Sequence, residues 1–137
     1  MHNWLPDAHP AAPSHVSALM SAVMIKTGIY GILRVLQLID GPTLLIGYTV
    51  LFISIITALY GIIYAVNQKD IKKLLAYSSV ENIGLIGIAM SIIIFGQIYN
   101  WDFITVIGST ACFMHILNHS VFKSLLFMGA GSVYLKT

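Results

Sequence analysis

Four ionisable side chains lie within long apolar stretches of this sequence and could carry charge through a nonpolar environment. Lys26 lies near the middle of the apolar run 16–39. A later run contains His115, His119 and Lys123 at four-residue spacing. A charged side chain at the centre of a bilayer costs roughly 2.5 to 3.5 kcal/mol on insertion scales, so such residues are rarely kept without a use. Their types and positions indicate a proton or cation pathway.

Lys26 suits a relay because its depth makes it difficult for the ammonium group to reach either membrane surface. Tyr30 follows one helical turn later on the same face. Hydrocarbon disfavours the charged amine, whereas water or an acidic partner favours it, so small changes nearby can switch its protonation. A second interpretation stays open: the amine bonds a carbonyl of a neighbouring helix and only supports packing.

The stripe formed by His115, His119 and Lys123 predicts a proton wire along one helical face, with steps of about 6 Å that one or two waters can bridge. Histidine exchanges protons near neutral pH because its unperturbed pKa is about 6.5. Two alternatives remain. The histidines could only hydrogen-bond between helices, or His115 and His119 could hold a metal, although the Glu of a zincin motif and a nearby third ligand are missing.

Glu81 is the one carboxylate deep inside an apolar run, and it could pair with Lys73 or with a lysine of another helix. Structural and functional roles are both open for it.

No Gly-rich phosphate loop, nucleophile elbow or haem or cluster ligation pattern is present, so we expect no catalytic residue, cofactor or metal in this chain. The single cysteine, Cys112, has no partner for a disulfide.

Composition predicts a membrane protein of the all-α class. The chain has 137 residues, of which 58% are hydrophobic and 9% are charged, whereas about a quarter are charged in soluble domains. Runs 16–39, 44–66, 74–98 and 103–134 are long enough to cross a bilayer as helices. Short connections make neighbouring helices antiparallel. We therefore expect a polytopic transmembrane helix bundle of about four or five helices, forming one partial domain over residues 1–137.

The last run is too long for one straight crossing, which predicts a broken helix near residues 118–120.

Charge predicts the orientation: Lys69, Lys72 and Lys73 cluster on one side, while Asp40 and Asp102 lie in the opposite loops. By the positive-inside rule the lysine side is cytoplasmic. The net charge of +2 includes no basic run, so a lipid bilayer rather than nucleic acid is the expected partner.

Three segments resemble consecutive motifs of one family: WLPDAHPAAPSHVSALMSAVMIKTGIYGILR, DIKKLLAYSSVENIG and HILNHSVFKSLLFMGAGSV. They are similar to the antiporter-like proton-translocating membrane subunits of respiratory complex I, cation/proton antiporters and group 4 hydrogenases. SHVSALMS and SSVENIG are most similar to the large membrane subunit of hydrogenase-4 and formate hydrogenlyase complexes. The resemblance covers essentially the whole chain.

The resemblance implies that Lys26 is the central lysine of the family's eighth transmembrane helix. It also implies that His115, His119 and Lys123 belong to the eleventh, broken helix of the same hydrophilic axis, and it ties Glu81 to the hydrogenase-like branch. Electron transfer in partner subunits would drive transport, so this chain would be a non-redox subunit of a hydrogenase or an NADH:quinone oxidoreductase-like complex. The expected location is the inner, cytoplasmic membrane of a prokaryote.

Compared with the family the chain is short, so it is expected to be a fragment. The family's glutamate and lysines in the preceding and following helices lie outside it. Two rival functions therefore remain: a sodium/proton antiporter subunit, or a truncated structural helix segment without independent transport.

Overall fold

A computed structural model describes residues 4–39, 41 and 43–136, with side chains through residue 134. This part of the chain is helical and contains no strand, which confirms the all-α prediction. The predicted turn at Asp40 lies outside the described residues. The elements are α1 Leu5–Ala11, α2 Ser14–Leu19, a π-helical segment Met20–Met24, α3 Ile25–Leu38, α4 Leu44–Val66, α5 Ile71–Ile98 and α6 Asp102–Lys136.

The proline-rich N-terminal region forms a short helix followed by a turn. Pro6 lies in the first turn of α1, where its missing N–H costs nothing. Ala12 and Pro13 then adopt extended backbone angles, so the chain bends before α2 begins at Ser14. The Ser17 hydroxyl donates to the carbonyl oxygen of His9 at 2.9 Å and ties α1 to α2 across the bend.

The first long helical segment runs from Ser14 to Leu38 and contains the π-helical turn. Here the Ile25 N–H reaches back five residues to the carbonyl of Met20. Such a turn inserts one extra residue into an α-helix and often occurs at functional sites. Within it, Ser21 and Ala22 are buried, so the irregular backbone is shielded by protein, as the interior of a membrane requires.

Three helical segments in the described part are long and apolar enough to cross a bilayer: Ser14–Leu38, Leu44–Val66 and Ile71–Ile98. The protein is therefore a multi-pass membrane protein. The fourth predicted span is also a helix, α6, but its histidines, Asn118 and Lys123 make it less apolar than the other three. Its 35 residues measure about 52 Å at 1.5 Å per residue.

The predicted break near residues 118–120 is wrong, because α6 is continuous from Asp102 to Lys136. No proline interrupts it. The Ser120 hydroxyl bonds the carbonyl oxygens of Ile116, in its own helix, and of Ala22, in the π-helical turn, each at 2.8 Å. The irregular backbone thus belongs to the first span, and α6 supplies a polar group to it.

Small residues let α4 and α5 pack at close range. A Cβ atom at Gly84 would lie 2.5 Å from the backbone nitrogen of Ala58, and one at Gly61 would overlap the backbone of Glu81. Small residues are typical of helix interfaces in membranes, where close backbone contact replaces the hydrophobic effect. α5 also contacts α1 and α6. It is therefore the central helix against which the polar residues of α6 are placed.

This packing predicts that alanine substitutions at two glycines affect the melting temperature differently. Alanine is favoured over glycine in a helix by about 1 kcal/mol, but Gly84→Ala forces its methyl group into the α4 backbone, a kind of overpacking that costs about 1–3 kcal/mol. We expect Gly84→Ala to lower the melting temperature of the purified protein in detergent. Gly28→Ala is the control, because a Cβ there meets nothing within 4 Å. Equal melting temperatures for the two variants would contradict the close packing.

Candidate functional site

Lys26 and His119 meet directly across two helices. Lys26 Nζ lies 2.6 Å from His119 Nδ1 and also donates to the carbonyl oxygen of Ser21. His119 is fully buried and Lys26 is half-buried. Tyr30, which follows Lys26 on the same face, is 66% exposed and does not join the contact. The central lysine and the middle of the histidine stripe, predicted separately, therefore form one site.

The π-helical turn helps to build this contact. It ends two residues before Lys26, and Lys26 donates to the carbonyl oxygen of Ser21 within it. A regular α-helix would rotate Lys26 by about 100° relative to the residues before the insertion, since each residue turns the helix by that angle. The Ser21 hydroxyl shares a hydrogen bond of 2.9 Å with Ser79 of α5, which fixes the turn against the central helix.

The two ring nitrogens of His119 have different environments. Nδ1 faces Lys26, whereas Nε2 is buried without a hydrogen-bond partner among the described residues. An ammonium group has only donors, so Nδ1 must accept when Lys26 is charged, which leaves the proton on Nε2. A neutral lysine can accept instead, which allows the proton on Nδ1. A charged Lys26 thus fixes the tautomer of His119, whereas a neutral Lys26 permits either tautomer.

His115 lies one turn before His119, with ring centroids 6.3 Å apart and nearly parallel planes. Its Nε2 is 3.0 Å from Oδ1 of Asn82 in α5. The Asn82 amide nitrogen donates to the carbonyl of Ser78 at 2.7 Å, so its oxygen faces the histidine. His115 therefore donates from Nε2, and its orientation is fixed by α5.

Lys123 continues the stripe and is completely buried. Its Nζ donates to the carbonyl oxygen of Leu75 in α5 at 2.9 Å. Glu81 is half-buried in α5 and acts on Lys123 electrostatically, without a hydrogen bond to the stripe. The structure thus brings Lys26, His115 and His119 together, keeps Lys123 one turn away, and leaves Glu81 at the edge of the group.

Sequence reasoning did not select three polar residues that hold the site: Asn82, Ser79 and Ser21. All three are buried, and Asn82 orients a histidine while the serines join two helices. A signal was available, because small polar residues inside an apolar helix must find partners away from lipid. The run Ser78-Ser79-Val80-Glu81-Asn82 shows such a concentration.

His9 of α1 lies at the other end of the stripe, outside the candidate membrane spans. Its ring stacks on Phe127, one turn beyond Lys123, with centroids 4.7 Å apart. It is completely buried, and neither ring nitrogen has a hydrogen-bond partner in the described part of the chain. Burial, followed by the charges of Lys123 and Lys72, lowers the pKa of His9 to about 4.

The loop before α5 carries a second polar contact. Asp70 accepts hydrogen bonds from the Lys72 backbone N–H at 2.8 Å and from the Tyr134 hydroxyl at 2.9 Å. Burial alone would raise the pKa of Asp70. These two hydrogen bonds, together with the backbone N–H and the charge of Lys73, outweigh that effect, so the pKa lies below its usual value. A charged Asp70 thus caps α5 and holds the end of α6 beside it.

The arrangement does not resemble a metal centre. Within residues 4–39, 41 and 43–136, no three His, Cys, Asp or Glu side chains come close enough to hold a metal ion. His115 and His119 have parallel rings, and their available contacts are an amide oxygen and an ammonium group. Ammonium competes with a metal for the histidine lone pair. Proton exchange fits these groups better.

The sequence profile of the family described as NADH:quinone oxidoreductase/Mrp antiporter, transmembrane, matches residues 1–137. The chain belongs to this family. Among its members, hydrogenase-4 component B of Escherichia coli is 49% identical over 97% of the chain, and formate hydrogenlyase subunit 3 of the same organism is 39% identical over 100%. NADH-quinone oxidoreductase subunit M of Rickettsia prowazekii is 35% identical over 97%.

These family members confirm the resemblance inferred from the motifs, including its similarity to hydrogenase-4 and formate hydrogenlyase subunits. The chain spans about a fifth to a quarter of their length: 20% of hydrogenase-4 component B, 22% of formate hydrogenlyase subunit 3 and 25% of subunit M. The described site thus corresponds to one section of these longer proteins.

The Asn82 contact predicts the tautomer of His115. Solid-state ¹⁵N NMR of histidine-labelled protein should show His115 protonated on Nε2 and bare on Nδ1, assigned by loss of the signal in His115→Gln. Asn82→Leu removes the acceptor and should give a mixture of tautomers. Asn67→Leu changes an exposed asparagine and should leave the spectrum as in the native protein. A native His115 protonated on Nδ1 would contradict the geometry.

Proposed function

We propose that this chain is part of a proton-translocating membrane subunit of a group 4 hydrogenase or complex I-like oxidoreductase. The observation that carries the proposal is the contact of 2.6 Å between Lys26 and the buried His119. Two groups that can each hold or release a proton face one another there, inside a bundle of membrane helices. The names of similar proteins support the assignment: hydrogenase-4 component B, formate hydrogenlyase subunit 3 and NADH-quinone oxidoreductase subunit M.

Proton movement through the site would use both sides of the His119 ring. A proton leaving the Lys26 ammonium passes to Nδ1 of His119, and the proton on Nε2 leaves from the opposite edge of the ring. Nε2 is buried and has no hydrogen-bond partner among the described residues. One or two waters can span the step of 6.3 Å to His115. Lys123, one turn away, would receive or supply the proton on the other side.

Proton transport is favoured over sodium transport by the atoms of the site. The side chains of Lys26, His119 and Lys123 offer nitrogen atoms, and the carbonyls of Ser21 and Leu75 already accept from the lysine ammonium groups. Sodium, like other hard cations, requires several oxygen ligands. Two lysine charges would also repel a cation at this position. Glu81 shapes the charge at Lys123 rather than binding an ion.

We place the driving electron transfer in partner subunits and assign this chain no redox group. The similar proteins are named as components of larger enzymes, so the partners are other membrane and peripheral subunits of such a complex. Their bacterial sources point to the prokaryotic inner membrane, with Lys69, Lys72 and Lys73 on the cytoplasmic side. Residues 1–137 then form one section of the proton-translocating domain.

Substitution of Lys26 should stop proton transport without loss of the complex. Lys26→Arg keeps the positive charge but cannot release a proton, so it separates proton transfer from packing. In inverted vesicles that contain the full-length protein in its complex, we expect Lys26→Arg and Lys26→Gln to lower proton uptake on the order of 10²-fold, as expected when a positioned proton donor is lost. Lys69→Gln, which changes an exposed loop lysine, should retain uptake.

Assembly measured by native gel electrophoresis must match among the variants before their fluxes are compared. Native proton uptake in an assembled Lys26→Arg complex would reject the relay and favour the structural role of this segment. Replacing sodium by choline in the same vesicles tests the antiporter alternative. Loss of native uptake in the sodium-free medium would show that sodium, not protons alone, is transported.

A further inference from the structure

The polar stripe on α6 ends before it reaches the surface of the bundle. At four-residue spacing the positions that follow His115, His119 and Lys123 are Phe127 and Gly131, along a stripe that turns by about 40° around the helix at each step. Phe127 is completely buried. The next ionisable group on α6 in this direction is Tyr134, about three turns beyond Lys123, so a nearer continuation must come from another element.

His9 of α1 occupies that place. It stacks on Phe127 with a centroid separation of 4.7 Å and an angle of 21° between the rings. The charges that act on it are those of Lys123, at the end of the stripe, and Lys72, at the start of α5. The Ser17 bond to the His9 carbonyl fixes the backbone of this residue. His9 thus lies within electrostatic range of Lys123, which is buried, and of Lys72, which is partly exposed.

Packing alone does not explain why a histidine, rather than an apolar residue, is buried at position 9. Both of its nitrogens lack a hydrogen-bond partner among the described residues, and each unsatisfied buried group costs about 1–3 kcal/mol. A phenylalanine would stack on Phe127 without this cost. A neutral imidazole that meets water on both sides can accept a proton at one nitrogen and release one from the other.

An open cavity of about 490 Å³ lies beside Lys72, one of the two lysines that act on His9. Its walls include Ser14, His15, Lys72 and Tyr134. Lys72 Nζ donates at 3.1 Å to the carbonyl of Ala12, three residues after His9. The cavity lies on the side of the bundle that carries Lys69, Lys72 and Lys73, which charge assigns to the cytoplasm.

We propose that His9 passes protons between Lys123 and this cavity, and so connects the buried axis to the cytoplasmic surface. The proposal rests on the proton-transfer function proposed above and adds a residue and a direction to it. No bond other than those to the moving proton changes: one His9 nitrogen accepts a proton as the other releases one. His9 would then be required for flux although it lies outside the membrane-spanning helices.

The main test compares His9→Phe with Lys69→Gln in vesicles that contain the full-length protein in its complex. Phenylalanine preserves the ring stack on Phe127 but cannot carry a proton, so the complex should assemble, the melting temperature should not fall, and proton uptake should drop on the order of 10²-fold. Lys69 is an exposed loop residue outside the cavity wall, and Lys69→Gln should keep native uptake. Native uptake in the assembled His9→Phe complex would overturn the proposal.

Chemical rescue provides a second readout that a purely structural role would not produce. His9→Ala leaves a space beside Phe127 that free imidazole can fill, so added imidazole should restore uptake in a concentration-dependent way. The same imidazole should not raise uptake in the native complex or in Lys26→Arg. A loss of uptake in His9→Ala that imidazole does not restore would also overturn the proposal, including the case in which His9→Phe fails to assemble.

Vesicles with the Lys26→Arg variant distinguish a failure of the proposed proton-transfer function from a failure of the route through His9. If Lys26→Arg loses uptake while His9→Phe retains it, the proton-transfer function stands and only the route through His9 falls. If Lys26→Arg retains native uptake, the proposed function itself falls, whatever the His9 variants show.

Discussion

A lysine placed inside a membrane protein needs a partner that tolerates both of its protonation states, and the contact between Lys26 and His119 provides one. A carboxylate would hold the lysine permanently charged, whereas an apolar site would hold it neutral. Histidine can accept from the ammonium or donate to the amine by changing tautomer. The other polar features of the bundle keep these two groups in position: the π-helical turn, the Ser21–Ser79 bond and the Asn82–His115 bond.

Helix packing positions the contact between Lys26 and His119. α5 lies against α4 through glycines whose missing side chains allow backbone contact, and α6 lies against α5 on the opposite side. Because α5 is held closely by α4, its Asn82, Ser79 and Leu75 carbonyl form a fixed polar surface. The histidines and Lys123 of α6 are oriented on this surface. Small residues that do not themselves contact the histidines therefore help to determine the geometry of the site.

The sequence allowed the class of fold and most helices to be predicted, since long apolar runs leave few alternatives to membrane helices. The run 44–66 coincides with α4. The four-residue spacing also predicted correctly that His115 and His119 are neighbours on one face. Length alone was a poor guide to helix continuity, because a helix can extend beyond the hydrocarbon or tilt. That is why the expected break in α6 is absent.

Contacts between distant segments could not be read from periodicity. The pairing of Lys26 with His119 joins residues 93 positions apart, and the π-helical turn has no proline or glycine to mark it. The burial of His9 depends on the bend at Ala12 and Pro13 that folds α1 against α5, and no periodic pattern indicates that bend. Side-chain chemistry is visible in a sequence, whereas the angle between two helices is not.

The most direct test of the central claim is a double-mutant cycle on proton uptake with Lys26→Gln, His119→Gln and the double variant in the assembled complex. If the two groups act as one proton-transfer unit, the double variant should lose no more uptake than either single variant, because residues that work together have non-additive effects. Multiplied losses in the double variant would mean that Lys26 and His119 act independently, and would contradict the account.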